Sequence, residues 1–315
     1  MSGGRIVSML PSASEMVCLV GGEEYLVGRS HEDDYPASIT KLPIVTGQNT
    51  VFTSSADVDR QVSESLAQGD ALYTIDAELL QQLKPSVIVT QDLCHVCAID
   101  LQTVERIANR MNPKPKIITL NPMTFTDVIE DILRVGNELG FAENAQAAVK
   151  ALNNRVQAAS SIASHLLETV NKGVRPRVLF VEWTDPVYPG GHWTPQLIHM
   201  AGATQPIKPA TELVGAGPSA RVTNEACVES DPEIIIISPC GLKLPEATRE
   251  ADLIRDLPWF KQMCKPGVRV AIVDGNEMFN RPGPRLVDAL EFLVGYIWNR
   301  EDLIPKGFPY AKYIE

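Results

Sequence analysis

The chain has 315 residues, a formal net charge of −11, and 44% hydrophobic and 21% charged residues. This length suits two lobes of ordinary size, and the balance of residue types is that of a globular protein rather than a disordered one. An acidic chain without any Lys/Arg-rich run is a poor match to nucleic-acid-binding proteins. No apolar stretch approaches the length that crosses a bilayer, so we predict that the chain does not span a membrane.

The N-terminal residues bear on where the protein works. Residues 5–10 read as a first core strand, and no basic segment, long apolar segment and cleavage site precede them. This pattern predicts a cytoplasmic location, with a periplasmic or extracellular location left open if a leader was removed. The six scattered cysteines are not the dense framework of a small secreted domain and are typical of a reducing compartment.

Short β-branched runs alternate with helical patterns along the chain, which is typical of βαβ units and a mainly parallel sheet. A continuous apolar run such as residues 234–237 favours a strand covered on both faces. The predicted strands are Ile6–Met9, Leu26–Arg29, Val87–Thr90, Lys116–Leu120, Arg177–Glu182, Glu233–Ser238 and Val268–Asp274.

The two halves of the sequence follow the same order, in which a helix and a proline-bearing turn precede a buried strand. Between them, apolar residues recur at steps of three and four from Ala142 to Asn171 without Pro or Gly, after a helix at about 126–139. We therefore predict two Rossmann-like α/β lobes with mainly parallel sheets, joined by one long helix, with a ligand cleft between the lobes. The predicted bounds are 1–123 and 174–315 for the lobes and 124–173 for the connecting helices. A surface helix of one larger domain is the alternative.

Ligands of open α/β sheets bind beyond the carboxyl ends of the strands, and the loops at those positions here are rich in polar and aromatic side chains. Their carboxylates suit a cation or a helix cap, and their Trp side chains suit stacking on a flat ligand or packing at a rim. The candidate ligand-binding residues are Ser12, Ser14, His31, Glu32, Gln91, Asp92, Cys94, Glu182, Trp183, His192, Trp193, Cys240, Asn276, Asn280 and Arg281.

Cys94 and Cys97 have the spacing of a metal-ligating or redox pair, although thiols that line a ligand or only support the fold fit as well. A structural zinc site normally needs a second such pair, which the sequence lacks. His31 and His192 are the other candidate metal ligands, because each follows a predicted strand. Neither a nucleotide-binding glycine motif nor a nucleophile elbow occurs, so nucleotide binding and hydrolase activity are not supported.

Several strings resemble a known family. Residues 5–15, 27–36 and 84–89 resemble the first lobe of the helical-backbone (class III) substrate-binding proteins, which serve ABC importers of cobalamin, heme and ferric siderophores. Residues 91–98, 191–193 and 280–285 look like the cobalamin-binding branch of that family.

The resemblance implies non-catalytic binding of a small polar or metal-containing ligand, such as a cobalamin-like corrinoid or a metal chelate, and no certain cofactor beyond it. It also implies an ABC permease as partner if the protein is exported, with Glu78 at a position suited to docking. Two alternatives stay open. One is a zinc-type metal-ion-binding protein that uses Cys94, Cys97, His31 and His192, and the other is an enzyme that uses Cys, His and Asp side chains of the same cleft.

Overall fold

The computed structural model describes residues 4–92 and 101–314. The chain divides into two compact units. The first unit comprises residues 1–53, 60–122 and 127–151, and the second comprises residues 54–59, 123–126 and 152–315. Each unit has its own sheet with helices, which confirms the predicted two-lobed α/β fold. The bounds predicted for the lobes and the connecting segment stay a prediction.

Most elements up to residue 120 alternate strand and helix, as the sequence pattern predicts, and two consecutive helices follow them. In chain order they are β1 (Ile6–Ser8), α1 (Pro11–Leu19), β2 (Leu26–Gly28), β3 (Thr46–Gln48), α2 (Ser55–Gln68), β4 (Tyr73–Ile75), α3 (Ala77–Leu83), β5 (Val87–Gln91), α4 (Leu101–Ala108), β6 (Lys116–Leu120), α5 (Phe125–Leu139) and α6 (Ala142–Asn171).

The first unit is organised around a parallel sheet with strand order β2-β1-β5-β6 within the described residues. Strands β1 and β5 lie in its middle, with Val7 opposite Ile88, and both side chains are fully buried. Leu80 of α3 and Val104 of α4 pack into the same core. A small antiparallel pair, β3 with β4, lies outside this sheet.

Helix α6 has the bounds that the apolar periodicity predicts, and the division between the units falls within it, after Ala151. In the first unit, α6 packs closely on α5. A methyl group added at Gly136 would lie 2.2 Å from the Cβ of Ala145, so this crossing requires a glycine.

The elements after residue 177 form the second unit, together with part of α6 and two short segments. In chain order they are β7 (Val178–Thr184), β8 (Val187–Pro189), α7 (Thr194–Met200), α8 (Asn224–Glu229), β9 (Ile234–Ile237), α9 (Leu244–Arg255), α10 (Pro258–Met263), β10 (Arg269–Val273), α11 (Leu286–Ile297) and β11 (Tyr310–Ile314).

The sheet of the second unit has strand order β11-β10-β9-β7-β8 in the part of the chain that the structure describes. Its three central strands are parallel, as predicted, and both edge strands are antiparallel, which the sequence did not indicate. Strand β9 is buried along its whole length, as its continuous apolar run predicts. Among the described helices, none combines the length and the apolar character needed to cross a membrane.

Candidate ligand-binding site

The first turn of α1 lies at the carboxyl end of β1, and it carries two of the predicted serines. Pro11 occupies the first helical position, where its missing N–H is not needed. Ser14 is fully buried and its hydroxyl donates a short hydrogen bond to Asp33. The Ser12 hydroxyl is also buried, but it has no hydrogen-bond partner within the described chain. Ser14 is therefore held by the fold, whereas Ser12 has hydrogen-bonding capacity left for a ligand.

His31 follows β2 and is held by Thr46 of β3. The backbone N–H of His31 donates to Thr46 Oγ1 at 3.0 Å, and its ring Nδ1 lies 2.8 Å from the same oxygen. Its other ring nitrogen, Nε2, is buried and has no hydrogen-bond partner among residues 4–92 and 101–314. A buried ring nitrogen without a hydrogen-bond partner raises the free energy of the folded protein. Nε2 is therefore the atom of this loop best suited to contact a ligand.

The loop that carries His31 is fixed by a guanidinium group. Arg29 donates to the carbonyl oxygens of Ser30 at 2.9 Å, Asp33 at 3.0 Å and Thr40 at 2.7 Å. Three hydrogen bonds from one rigid planar group define the course of the backbone through residues 30–40. No sequence pattern indicates this role for Arg29.

The other predicted residues of the first unit are less well positioned. Glu32 is exposed, and its backbone N–H donates to the hydroxyl of Ser30 at 3.1 Å. Gln91 is the last residue of β5 and is half-buried, and Asp92 after it is exposed. Cys94 and Cys97 lie outside the described residues.

Glu182 lies near the carboxyl end of β7 in the second unit. Its two carboxylate oxygens each accept from the Ser219 hydroxyl at 2.9 Å, and one of them lies 3.4 Å from the backbone nitrogen of Gly191. A Cβ at Gly191 would lie 2.5 Å from the Ser219 nitrogen, so the two loops meet more closely than any other residue would allow. Glu182 thus joins two loops at this end of the sheet.

His192 is held in an uncommon backbone conformation in the same place, with φ at 50°. Its N–H donates to Gly217 at 2.6 Å, and its carbonyl accepts from Ala216 at 3.0 Å. Burial, and secondly the positive charge of Lys208, lower the pKa of its imidazole. A neutral imidazole is the form that coordinates a metal or accepts a hydrogen bond.

The predicted tryptophans of this unit serve the fold. The Trp183 ring N–H donates to the Ser55 carbonyl at 3.1 Å, within the 54–59 segment that belongs to the second unit. Trp193 is only 5% exposed and its ring N–H donates to the Phe279 carbonyl at 2.6 Å. Burial of the Trp193 ring leaves little of its face for stacking on a ligand, so we assign it a supporting role.

The loops after β9 and β10 cross in close contact. A Cβ at Gly275 would lie only 1.9 Å from the carbonyl oxygen of Pro239. The side-chain amide of Asn280 donates to the carbonyls of Ser238 at 3.2 Å and Gly275 at 2.8 Å, which joins the two loops. Asn280 is thus a positioning residue for this edge of the sheet.

The remaining predicted residues lie around this crossing. The Asn276 N–H donates to the Asp274 carboxylate at 3.0 Å, and Arg281 is buried at 7% exposure. Cys240 is exposed, and its backbone N–H donates to the Glu182 carbonyl at 3.0 Å. Cys240 therefore lies at the carboxyl end of the sheet, next to the strand that carries Glu182.

The described residues do not gather three His, Cys, Asp or Glu side chains in a set that could hold a metal ion. Burial raises the pKa of the Cys18 thiol to about 12 and that of Cys227 to about 11, and it also raises the pKa of Cys264. These three thiols stay protonated at neutral pH and are poor nucleophiles.

Several residues that shape the two sets of loops were not predicted from the sequence, among them Thr46, Ser219 and Asp274. Thr46 contacts a side chain 15 positions earlier in the chain, and Ser219 contacts one 37 positions earlier. Asp274 accepts from the backbone N–H of Leu244, at the start of α9, at 3.0 Å. None of them belongs to a motif, so only the folded chain reveals these contacts.

Comparison with known structures shows the same fold in proteins of low sequence identity. A periplasmic heme-binding protein from Pseudomonas aeruginosa is 20% identical and superposes with a TM-score of 0.69 over 94% of this chain and 93% of its own. The periplasmic vitamin B12-binding protein BtuF of Vibrio cholerae is 18% identical, with a TM-score of 0.64 over 95% of this chain and 98% of its own.

Sequence comparison gives the family. The uncharacterized ABC transporter substrate-binding lipoprotein YvrC of Bacillus subtilis is 22% identical over 298 residues, which cover 93% of this chain and 80% of that protein. The predicted cytoplasmic location is contradicted, because this relative is a lipoprotein and the matching family is described as periplasmic. The profile of that family, Periplasmic binding protein, matches residues 6–263. The chain therefore belongs to the periplasmic binding protein family.

Proposed function

We propose that this chain is the substrate-binding component of an ABC importer, that it acts outside the cytoplasm, and that its ligand is a cobalamin-like corrinoid or another metal chelate. Family membership and the similarity to the B. subtilis substrate-binding lipoprotein support the importer function. The vitamin B12- and heme-binding neighbours, which share the fold along most of the chain, support the ligand class.

The environment of His31 is the main structural observation that supports a metal chelate as the ligand. Thr46 holds one ring nitrogen at 2.8 Å, and Nε2 has no partner in the described chain. A second partner that fixes Nδ1 and orients the ring is the usual arrangement for a metal-ligating histidine. A neutral imidazole binds iron and other transition metals well, so a chelated metal with an open axial position is a suitable partner for Nε2.

The proposed contacts in the first unit are the Ser12 hydroxyl and His31 Nε2. In the second unit they are Glu182, His192 and Cys240, which lie on loops at the carboxyl end of that sheet. Open α/β sheets bind ligands at this end. The tryptophans and Asn280 support these loops and are expected to influence affinity only indirectly.

Spectroscopic titration tests the proposal directly. Purified protein is titrated with aquocobalamin and, separately, with hemin, and the visible bands of the metal chromophore are followed. We expect a saturable band shift, because an imidazole nitrogen replaces axial water. Dicyanocobinamide, whose two axial positions are filled by cyanide, is expected to bind without the shift.

A matched pair of histidine variants gives the control. His31→Gln is expected to weaken binding at least tenfold and to abolish the band shift. His165→Gln, at an exposed position on α6, is expected to change neither. No response of the wild-type protein to any of these chelates at about 100 μM would overturn the proposed ligand class. Stoichiometric zinc in freshly purified protein, lost when Cys94 and Cys97 are replaced by Ser, would favour the metal-ion-binding alternative.

We also propose that Glu78 contributes to docking on the permease. It lies in the first turn of α3, is exposed, and follows Asp76, which caps the helix by accepting from the Leu79 N–H at 2.9 Å. An exposed carboxylate on a short capped helix is a fixed point charge for a basic partner surface. Glu78→Lys is expected to reduce transport in reconstituted vesicles while chelate binding stays unchanged.

A further inference from the structure

A second candidate site lies in the first unit, away from the loops described above. A cavity of about 580 Å³ runs along α5 from the residues that follow β6. Cavities of this size suit small ligands. Its lining is strongly acidic: Asn121, Pro122, Asp127, Glu130, Asp131, Leu133, Arg134, Asn137 and Glu138.

Asp131 distinguishes this cavity from an ordinary acidic surface. The residue is only 7% exposed, and its Oδ2 atom is buried without a hydrogen-bond partner in the described residues. Its Oδ1 atom lies 3.7 Å from Arg134, which is beyond hydrogen-bond distance, and the Arg134 side chain is 48% exposed. A buried carboxylate in this state lacks the donor that normally accompanies it.

The charges around Asp131 favour a cation. The cavity is lined by four carboxylates and one guanidinium group. Glu138 is paired with Lys116 of β6, and among the other lining residues three carry a carboxylate, Asp127, Glu130 and Asp131, whereas only Arg134 carries a positive charge. An ion that enters the cavity therefore meets a net negative field.

The geometry of the cavity fits an ammonium group better than a divalent metal or a guanidinium group. A divalent metal needs several converging ligand atoms, and the described residues offer no set of three acidic, His or Cys side chains suited to one. A guanidinium group binds both oxygens of a carboxylate, but Oδ1 of Asp131 already faces Arg134. An ammonium group is a compact point charge that needs only one acceptor oxygen, which Oδ2 supplies.

We propose that this cavity binds a small aliphatic ammonium ion, whose N–H group donates to the Asp131 carboxylate. Burial raises the pKa of Asp131 to about 6, with Arg134 opposing and Asp127 and Glu130 adding to the rise. A bound cation favours the ionised carboxylate, so protons and the ammonium ion compete for it.

Calorimetric titration with putrescine tests the site, with butane-1,4-diol as the uncharged ligand of the same length. We expect putrescine to bind the wild-type protein and the diol not to bind. Asp131→Asn is expected to weaken putrescine at least tenfold. Glu105→Gln removes one carboxylate from an exposed position of α4 outside the cavity and is expected to change the affinity less than twofold.

A second variant and the pH dependence of putrescine affinity test the same site independently. Arg134→Gln removes the competing positive charge, so it is expected to tighten putrescine binding. In the wild-type protein, affinity is expected to fall between pH 7.5 and pH 5 as Asp131 takes up a proton, while Arg134 stays charged. Absence of binding at 10 mM putrescine, equal binding of the diol, or equal weakening by Glu105→Gln and Asp131→Asn would each overturn the proposal. These outcomes are independent of chelate binding, which uses other residues.

Discussion

Arg155 of α6 forms a two-pronged ion pair with Glu291 of α11, with Nε and Nη2 at 2.9 and 2.7 Å from the two carboxylate oxygens. The same guanidinium group also contacts Asp288, one turn earlier on α11. The hydrogen bonds to Glu291 raise the pKa of Arg155, burial opposes this rise, and the hydrogen bond to Asp288 adds to it. The part of α6 that belongs to the second unit is thereby fixed on α11.

Replacing Arg155 by Met is expected to lower the free energy of unfolding by about 1–2 kcal/mol, because two half-buried carboxylates lose their shared partner. Arg155→Lys is expected to lower the free energy of unfolding by less, because an ammonium group keeps the positive charge but cannot bind both carboxylate oxygens in the same geometry. Urea denaturation measures both. Arg60→Met provides the control, because both partners of its pair with Glu64 are exposed and its loss is expected to cost less than about 0.5 kcal/mol. Equal losses in the two Met variants would contradict this ranking.

The contact between Thr46 and His31 makes a prediction about binding. Thr46→Val keeps the shape of the side chain but removes the oxygen that holds both the His31 N–H and its ring. Loss of one to two hydrogen bonds corresponds to about 1–1.5 kcal/mol, or roughly tenfold in the affinity for aquocobalamin. Thr46→Ser is expected to bind normally. Thr74→Val, on the exposed face of β4, is the matched control. Unchanged affinity in Thr46→Val would show that Thr46 does not position the ring.

Gly275 tests the crossing of the loops after β9 and β10. A methyl group there would meet the Pro239 carbonyl at 1.9 Å, so Gly275→Ala must displace backbone and is expected to lower the free energy of unfolding by more than about 3 kcal/mol. Gly69→Ala is the comparison, because that position has a φ of 75° and open space around it. Its cost is expected to be about 1 kcal/mol from backbone strain alone. Similar denaturation midpoints for the two variants would contradict the close crossing.

Local patterns were sufficient to predict much of the fold. The bounds of α6 and β6 match the sequence-based ranges residue for residue, and β9 is buried as its apolar run indicates. These elements carry their signal within a few residues, as helical periodicity or as a β-branched run. The antiparallel edge strands β8 and β11 carry no such signal, because their pairing depends on partner strands.

The candidate site could be predicted only in part, for a related reason. The positions of the loops follow from the strands, so His31, Glu182 and Asn280 lie at carboxyl ends as expected. Their roles depend on partners far away in the sequence: Trp193, for which the sequence left open stacking on a flat ligand or packing at a rim, donates to a carbonyl 86 residues away. Pattern alone does not show which polar groups the fold uses and which it leaves to a ligand.

His192 provides a prediction about pH. Burial is the main cause of its lowered pKa and Lys208 the second. Because the folded-state pKa lies below the unfolded value, the neutral form stabilises the fold, and this stability is lost as pH falls from about 6.5 through the folded pKa. Lys208→Gln is expected to raise the pKa of His192 without returning it to 6.5, since burial remains. Two-dimensional NMR of the imidazole protons measures the change, and an unchanged pKa would exclude the contribution of Lys208.

Asp131 gives the last prediction, with the opposite sign. Its folded-state pKa of about 6 lies above the ordinary value of 3.8, so the folded protein holds this proton more tightly than the unfolded chain. The contribution of protonated Asp131 to the free energy of unfolding is therefore complete below pH 3.8 and is lost as the pH rises toward 6. Asp131→Asn removes the buried charge, so it is expected to raise the free energy of unfolding by up to about 3 kcal/mol at pH 7.5 and by roughly half as much at pH 5. Glu105→Gln should leave stability nearly unchanged at both pH values. A variant that is destabilised at pH 7.5 would mean that Asp131 is paired in solution, and it would remove the reason for a cation in this cavity.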